Sequence, residues 1–337
     1  MASSARWSYV PLEAIIAVVC CVGNVLVIWA VWTCGALRKP TFCFITTLAV
    51  ADFLVGSVAI PMSVLVDINL KISFHACILM CCIFIMVKIV SVAVLLAIAV
   101  DRFLRVCIPL TYKTTVTPKR SWIMVALCWL LAAVLGFIPM FGWNNYNTSD
   151  STNQNNTNST SFECSFLTII PTPYLVNLIF FSSLLPSLAI MTGLYFYIFL
   201  TTRRQLRAHI SETTVQHSTD YRKEHKLATS LALVLVLFSV CWLPLFLMLT
   251  VSLYGHNIEL SSAVTHSGVV LSHVNSAFNP LVYAFRISKI KETFKTLWLR
   301  LYHCGEDQQK TKQKYADSSR NNNIGTKNSN TTQDSEL

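Results

Sequence analysis

Residues 75–104 read HACILMCCIFIMVKIVSVAVLLAIAVDRFL, an apolar run interrupted only by Lys88 and Ser91 before it ends on Asp101-Arg102. About 20 mostly apolar residues suffice for a helix to cross a hydrocarbon core roughly 30 Å thick, so this run is long enough to span a membrane. Runs of the same kind occupy residues 9–33, 43–67, 121–143, 173–200, 227–253 and 263–285. With the opening stretch they make seven spans. The expected fold is therefore an all-α membrane protein, a seven-transmembrane helix bundle. The first run is too long for a signal-peptide core and has no small-residue cleavage site behind it, so it is read as an uncleaved span.

The bulk composition agrees. In 337 residues, 54% are hydrophobic and only 12% charged, and the mean hydropathy is +0.54. That balance excludes an ordinary soluble two-domain protein. The net charge of +10 raises nucleic-acid binding, but Lys and Arg fall in short patches between apolar runs rather than along one surface, so no nucleic-acid partner is expected. Most of the 12 cysteines, among them Cys20, Cys21, Cys81, Cys82, Cys128 and Cys241, lie inside apolar runs and read as small buried hydrophobes. The chain carries no metal-ligand spacing, HExxH, Walker loop or GxSxG elbow, so neither an enzyme nor a metal site is expected.

Charge distribution orients the bundle. The connections after the first, third and fifth runs carry Arg38, Lys39, Arg105, Lys113, Lys119, Arg120, Arg203, Arg204, Arg207, Arg222, Lys223 and Lys226. By the positive-inside rule these face the cytosol. Residues 144–172 contain no Lys or Arg and hold N-x-S/T sequons at Asn147, Asn155 and Asn158, so this connection is expected outside and glycosylated. The division that follows is an extracellular N-terminus at 1–8, a seven-transmembrane bundle at 9–286, an amphipathic juxtamembrane helix at 287–303 and a disordered cytosolic tail at 304–337. In the third part Ile290, Phe294, Leu297, Trp298 and Leu301 recur at helical spacing among Lys289, Lys291, Lys295 and Arg300, as in an interfacial helix lying on membrane lipid. Cys304 at its end is either a palmitoylation site or a plain thiol.

Polar groups within the spans stand out because a charge at membrane depth costs roughly 2.5–3.5 kcal/mol or more. Glu13, Asp52, Lys88 and His273 are such groups, accompanied by Asn24, Ser91, Asn275, Ser276 and Asn279. Ser272, Ser276, Asn279 and Tyr283 recur at i, i+4, i+7 and i+11, a polar stripe that must face inward. Phe84, Lys88 and Ser91 share a face of the third span, and Trp242, Phe246 and Leu249 one of the sixth. The three faces together imply a cavity. Mutual hydrogen bonding between helices is the plainer reading for the amides and hydroxyls, but it fits two carboxylates, a lysine and a histidine poorly. A transporter or ion-conducting bundle would use similar groups, yet no internal repeat is visible.

The motifs and their order resemble the rhodopsin-like G-protein-coupled receptors over residues 9–303. Asn24 stands in GNVLVIW and Asp52 in LAVAD; Asp101-Arg102-Phe103 closes the third span, with Trp129 in the fourth; CWLP covers 241–244 and NPLVY 279–283. The resemblance implies a plasma-membrane receptor, N-terminus outside and C-terminus inside, acting on a heterotrimeric G protein. It implies a cytosolic switch in which Arg102 pairs with Asp101 and with Glu224, helped by Tyr195, Asn279, Pro280 and Tyr283. It also implies a disulfide between Cys77 and Cys164, and a sodium pocket at Asp52, Ser91, Asn275 and Asn279, with sodium as an allosteric modulator and no other cofactor. Ser318, Ser319, Thr331 and Thr332 offer phosphorylation sites for receptor kinases and arrestin binding.

Within that family the chain is most similar to adenosine receptors of the inhibitory branch, types one and three, through PLTYK at 109–113, PMFGWNN at 139–145 and LSHVNSAFNPLVYAFRI at 271–287. This implies a nucleoside-like ligand and an inhibitory G protein that lowers cyclic AMP. Phe166 matches the loop aromatic that stacks on the base, Ser272 the ribose-binding hydroxyl, and Glu13 with His273 the helix-one to helix-seven pair; Phe84, Trp242 and Phe246 complete the expected site. The pattern departs at Leu249, where the family has asparagine, at Leu167, where several members have a carboxylate, and at Lys88, where a threonine approaches the ribose. Lys88 has two readings: a tethered cation reaching toward Asp52, or a binder of an anionic ligand group. The alternative function is accordingly a receptor of the same lineage for a different, anionic ligand or for none. Pro186 stands one residue earlier than the family spacing to Tyr195.

Overall fold

The computed structural model of the chain describes residues 9–33, 35, 37, 39–67, 71–145, 162–209, 215–255, 261–286, 292 and 296. Residues 1–290 form one compact unit, and Lys291–Leu337 another. In the second, Thr296 Oγ1 donates to the Glu292 carbonyl at 2.9 Å. The rest of the expected amphipathic helix, the tail, Cys304, the first eight residues and all three sequons lie outside the described residues.

Among the described residues, seven long helices build the first unit. They are α1 (Val10–Thr33), α2 (Pro40–Leu54, continuing through a π-wound Val55–Ala59 into Ile60–Asp67), α3 (Phe74–Cys107), α4 (Pro118–Gly136), α5 (π-wound Tyr174–Leu184 continuing into Leu185–His209), α6 (Val215–Tyr254) and α7 (Ser262–Arg286). Six are long and apolar enough to cross a membrane by length and composition. Helix α7 has the length, at 25 residues, but its stripe of Ser, His and Asn lowers its hydropathy. Side chains on α1 and α4 that lipid would cover are well exposed, such as Trp32 at 70% and Leu130 at 61%. Helix α6 begins well before residue 227, because its charged N-terminal segment continues the same helix beyond the lipid-spanning length.

Two proline-linked irregularities shape the spans. Pro61 follows the π-wound Val55–Ala59, and Pro186 follows the π-wound Tyr174–Leu184. Proline has no N–H for the preceding turn and its ring crowds the carbonyl there, so the helix widens to re-pair its backbone. This accommodates Pro186 locally, and Tyr195 further along α5 is still buried.

Helix α3 is the axis of the bundle. It packs on α2, α4, α5 and more lightly on α6, while α1 closes the ring between α2 and α7. It starts at Ser73, whose hydroxyl accepts from the Ala76 N–H at 3.4 Å, an N-cap. Outside it, β1 (Lys71–Ile72) and β2 (Phe162–Glu163) pair antiparallel with Lys71 opposite Glu163. Directly after β2, Cys164 is disulfide-bonded to Cys77, with a Cα–Cα distance of 5.8 Å. The bridge anchors the loop to the head of α3.

Candidate functional site

The loop tethered by the disulfide continues into a short helix, Phe166–Ile169, which lies over a cavity of about 340 Å³. Phe84 and Lys88 line it from α3, Phe166 and Leu167 from the loop, Trp242, Phe246 and Leu249 from α6, and Ser272 from α7. Of the three faces expected from periodicity, Trp242, Phe246 and Leu249 line the cavity together with Phe84, Lys88 and Ser272, while Ser91, Ser276 and Asn279 do not line it and the Tyr283 side chain lies outside the described residues. Aromatic rings form the walls: Phe84 and Phe166 meet edge to face at 5.6 Å, while Phe246 stacks on Phe180 at 5.1 Å and on Trp242 at 5.8 Å. Tyr174, fully buried, donates from its hydroxyl to the Leu135 carbonyl at 2.7 Å and ties α5 to α4 behind this wall.

Lys88 is 6% exposed. Its ammonium donates to the Ser272 carbonyl at 3.2 Å and lies 5.0 Å from the Trp242 ring centre and 5.6 Å from that of Phe84. These contacts link α3 to α6 and α7. Lys88 makes no direct ion pair with Asp52 among the described residues, so the expectation of a cation reaching that carboxylate is not met by a direct contact.

Glu13 and His273 come together, with His273 Nδ1 3.0 Å and 2.9 Å from the two carboxylate oxygens. Both are buried, and the pair joins α1 to α7 behind the cavity rather than lining it. The His273 ring reaches the cavity wall through Phe84, edge to face at 5.8 Å. Ser272 directs its own hydroxyl to the Val269 carbonyl at 2.7 Å.

Deeper, Asn279 Nδ2 donates to Asp52 Oδ2 at 2.7 Å. Asp52 Oδ1, Asn24 Oδ1 and Asn275 Oδ1 are buried acceptors without a hydrogen-bond partner among the described residues. Asn24 spends its amide on the carbonyls of Cys20 and Ser276, at 2.9 Å and 3.2 Å, joining α1 to α7. Ser91 Oγ donates to the Val87 carbonyl at 3.3 Å.

At the other end of α3, Arg102 Nη2 meets Asp101 Oδ2 at 2.6 Å, both groups buried. Asp101 also accepts from Thr41 of α2 at 2.7 Å and from the Tyr112 hydroxyl at 2.6 Å. Arg105 Nη2 donates to the same hydroxyl at 3.2 Å. Tyr112 belongs to a short helix, Pro109–Thr115, in the connection to α4. Burial, and then the bond to Asp101, pushes its phenol above the ordinary value. Thr41 and Tyr112 are partners that spacing could not assign, because the chain leaves helical geometry at Ile108 between Asp101 and Tyr112. The side chains of Glu224 and Tyr283 lie outside the described residues; their backbones belong to α6 and α7.

A helical bundle with a cavity at one end, a bridged loop over it and an Asp-Arg pair at the far end of α3 suits a receptor. The sequence pattern described as "7 transmembrane receptor (rhodopsin family)" matches residues 23–283. The chain belongs to that family. The receptor is 38% identical over 293 residues to the adenosine receptor A3 of Bos taurus, covering 87% of this chain and 90% of that one. Against the adenosine receptor A3 of Canis lupus familiaris the identity is 37% over 300 residues, 89% and 93% of the two chains. The Ovis aries receptor of the same name is 38% identical over 288 residues, 85% and 88% of the two chains. It is thus a multi-pass plasma-membrane receptor and not an enzyme, and its family gives it a small-molecule ligand and a G protein as partners.

Proposed function

We propose that this receptor binds a nucleoside-type ligand in the cavity beneath Phe166 and activates an inhibitory heterotrimeric G protein, lowering cyclic AMP. The observation that carries the reading is the aromatic-walled cavity that ends on Trp242, in a chain similar to adenosine receptors over most of its length. A planar base fits between such rings, since base–aromatic stacking contributes roughly 1–3 kcal/mol. Leu249 lines the same cavity without a hydrogen-bonding group, so the base edge beside it meets apolar surface.

Transmission would run through α6. Ligand contact with Trp242 shifts the segment around Pro244, where the helix lacks one backbone hydrogen bond and bends easily. Pro280 gives α7 the same freedom. At the cytosolic end, release of Arg102 from Asp101 and from Glu224 opens a groove for the G protein, a switch between two packed states. In this reading the N-terminus is extracellular and the C-terminus cytosolic, as the charge asymmetry requires.

Sodium fits the deeper site as an inhibitory modulator. Asp52 Oδ1 and Asn275 Oδ1 are unpaired oxygen acceptors, the donor type a hard cation takes, and Ser91 and Asn279 stand with them in the family pattern. Sodium held there would tie α2 to α3 and α7.

The test measures cyclic AMP in cells carrying the receptor, exposed to adenosine, inosine, adenine and nucleotides, with Leu249→Asn alongside. A nucleoside should lower cyclic AMP only where the receptor is present, and Leu249→Asn should raise adenosine potency about tenfold by supplying the missing hydrogen bond. If no nucleoside changes cyclic AMP in either form, the reading is wrong. For sodium, Asp52→Asn should abolish the salt's effect on agonist affinity, and an unaltered effect would remove the ion from the scheme.

A further inference from the structure

The cavity holds an unbalanced set of donors. Among the described residues that line it there is no Asp or Glu, and its basic groups are Lys88 and His266. Lys88 offers three N–H donors. One goes to the Ser272 carbonyl, at 3.2 Å, and the ammonium otherwise faces the rings of Trp242 and Phe84. Glu13 is paired with His273, and Asp52 accepts from Asn279 through Oδ2 while its Oδ1 has no hydrogen-bond partner; among the described residues neither carboxylate forms a direct ion pair with this ammonium. A second donor in the same wall is also unsatisfied: Trp242 Nε1, in a side chain 7% exposed, is buried with no acceptor among the described residues. Both donors belong to the lining of one cavity, with the Lys88 ammonium 5.0 Å from the centre of the ring that carries the second. Leaving such donors unpaired is costly, and the cost is removed by a group rich in acceptors.

We infer that the ligand of this cavity carries one carboxylate-like negative charge, which Lys88 holds beside the indole N–H of Trp242. The inference rests on the nucleoside reading for the remainder of the ligand: an aromatic ring between Phe84, Phe166 and Phe246, with the acid on a short arm reaching Lys88. A carboxylate satisfies the pattern better than a phosphate. A single ammonium matches a single charge, whereas a phosphate dianion calls for further cations or an arginine fork; no arginine lines the cavity among the described residues, and the other basic group of the lining, His266, is stacked on Tyr9 at 5.1 Å. The anion would also loosen the link from Lys88 to the Ser272 carbonyl, and with it a contact that holds α3 to α7. Binding is thereby coupled to helix movement.

The test pairs molecules of equal shape and different charge: a nucleoside 5′-carboxylate and its 5′-carboxamide, with the 5′-monophosphate and benzoate as further probes. Binding is read as thermal stabilisation of the purified full-length receptor, and signalling as cyclic AMP in cells. The carboxylate should bind at least tenfold more tightly than the carboxamide in the parent. Lys88→Met should bring that ratio to about one or reverse it, and Lys88→Arg should keep it above one. A parent ratio near one overturns the inference while leaving the nucleoside reading intact if the carboxamide still lowers cyclic AMP. Preference for the monophosphate overturns the single-charge assignment. Lys88-dependent binding of benzoate with no binding of any nucleoside supports the charge and removes the nucleoside instead. Should Lys88→Met fail to fold, the parent ratio and Lys88→Arg still decide.

Discussion

Glu13 and His273 are 260 positions apart in the chain and share a hydrogen bond of 2.9–3.0 Å inside the bundle. Each marks itself in the sequence as a polar group at membrane depth, yet nothing in local spacing pairs them, because pairing needs α1 and α7 to be neighbours. Glu13→Ala should therefore lower stability by roughly 1.5–3 kcal/mol, the range for hydrogen bonds to charged groups, read as a fall in unfolding temperature in detergent. An unchanged temperature would mean that the pair contributes nothing to folding. Tyr112 is the opposite case, a residue with no signal of its own that is buried against Asp101. Tyr112→Phe should cost a similar ~1.5–3 kcal/mol. Since the folded phenol titrates above its ordinary value of about 10, its stabilisation is complete below that pH and is lost as pH rises through the higher folded value. The variant should accordingly show a shallower alkaline decline in unfolding temperature than the parent, and identical slopes would contradict the assignment.

Helices were legible as long apolar runs, and their interruptions were not. The π-wound segments of α2 and α5 follow from Pro61 and Pro186, but the sequence shows only the proline and not how far upstream the backbone adjusts. Inside the first of these segments Gly56 faces α1 so closely that an added Cβ would lie 2.7 Å from Cys20 Cβ and 2.9 Å from the Ala17 carbonyl. Such closeness lets the two helix backbones pack tightly. Gly56→Ala should force α1 and α2 apart at a cost of about 1–3 kcal/mol, the usual range for overpacking. The check is thermal unfolding, with Gly193→Ala as a control, because an added Cβ at Gly193 meets no heavy atom within 4 Å. Equal effects of the two substitutions would show that the close approach is unimportant. Seven spans were expected and seven long helices occur among the described residues, although α7 falls short of the hydropathy of the other six because its inward stripe is polar.

For the molecule as a whole, the Cys77–Cys164 bridge spans 87 residues and holds the loop carrying Phe166 over the cavity. In the chain-entropy account, closing a loop of that length restricts the unfolded chain by on the order of 4 kcal/mol. Cys164→Ser should lower the unfolding temperature and weaken ligand binding together, since the loop loses its anchor as Phe166 loses its position. A ligand affinity equal to the parent's would show that Phe166 is placed without the bridge.

Length and hydropathy determined the class of this protein by themselves, because a lipid core admits a single-chain helix of about 20 apolar residues and few other solutions. Ordered motifs identified the family for the same reason, as each sits at a required place along its own helix. Side-chain partners belong to the packed bundle. The sequence marked Lys88 as anomalous and left it between Asp52 and an anionic ligand; the fold turned its ammonium toward Ser272 and Trp242, where no carboxylate among the described residues reaches it directly. That choice depends on the rotations of three helices about their axes, which are set by packing across the bundle rather than by spacing along any one of them.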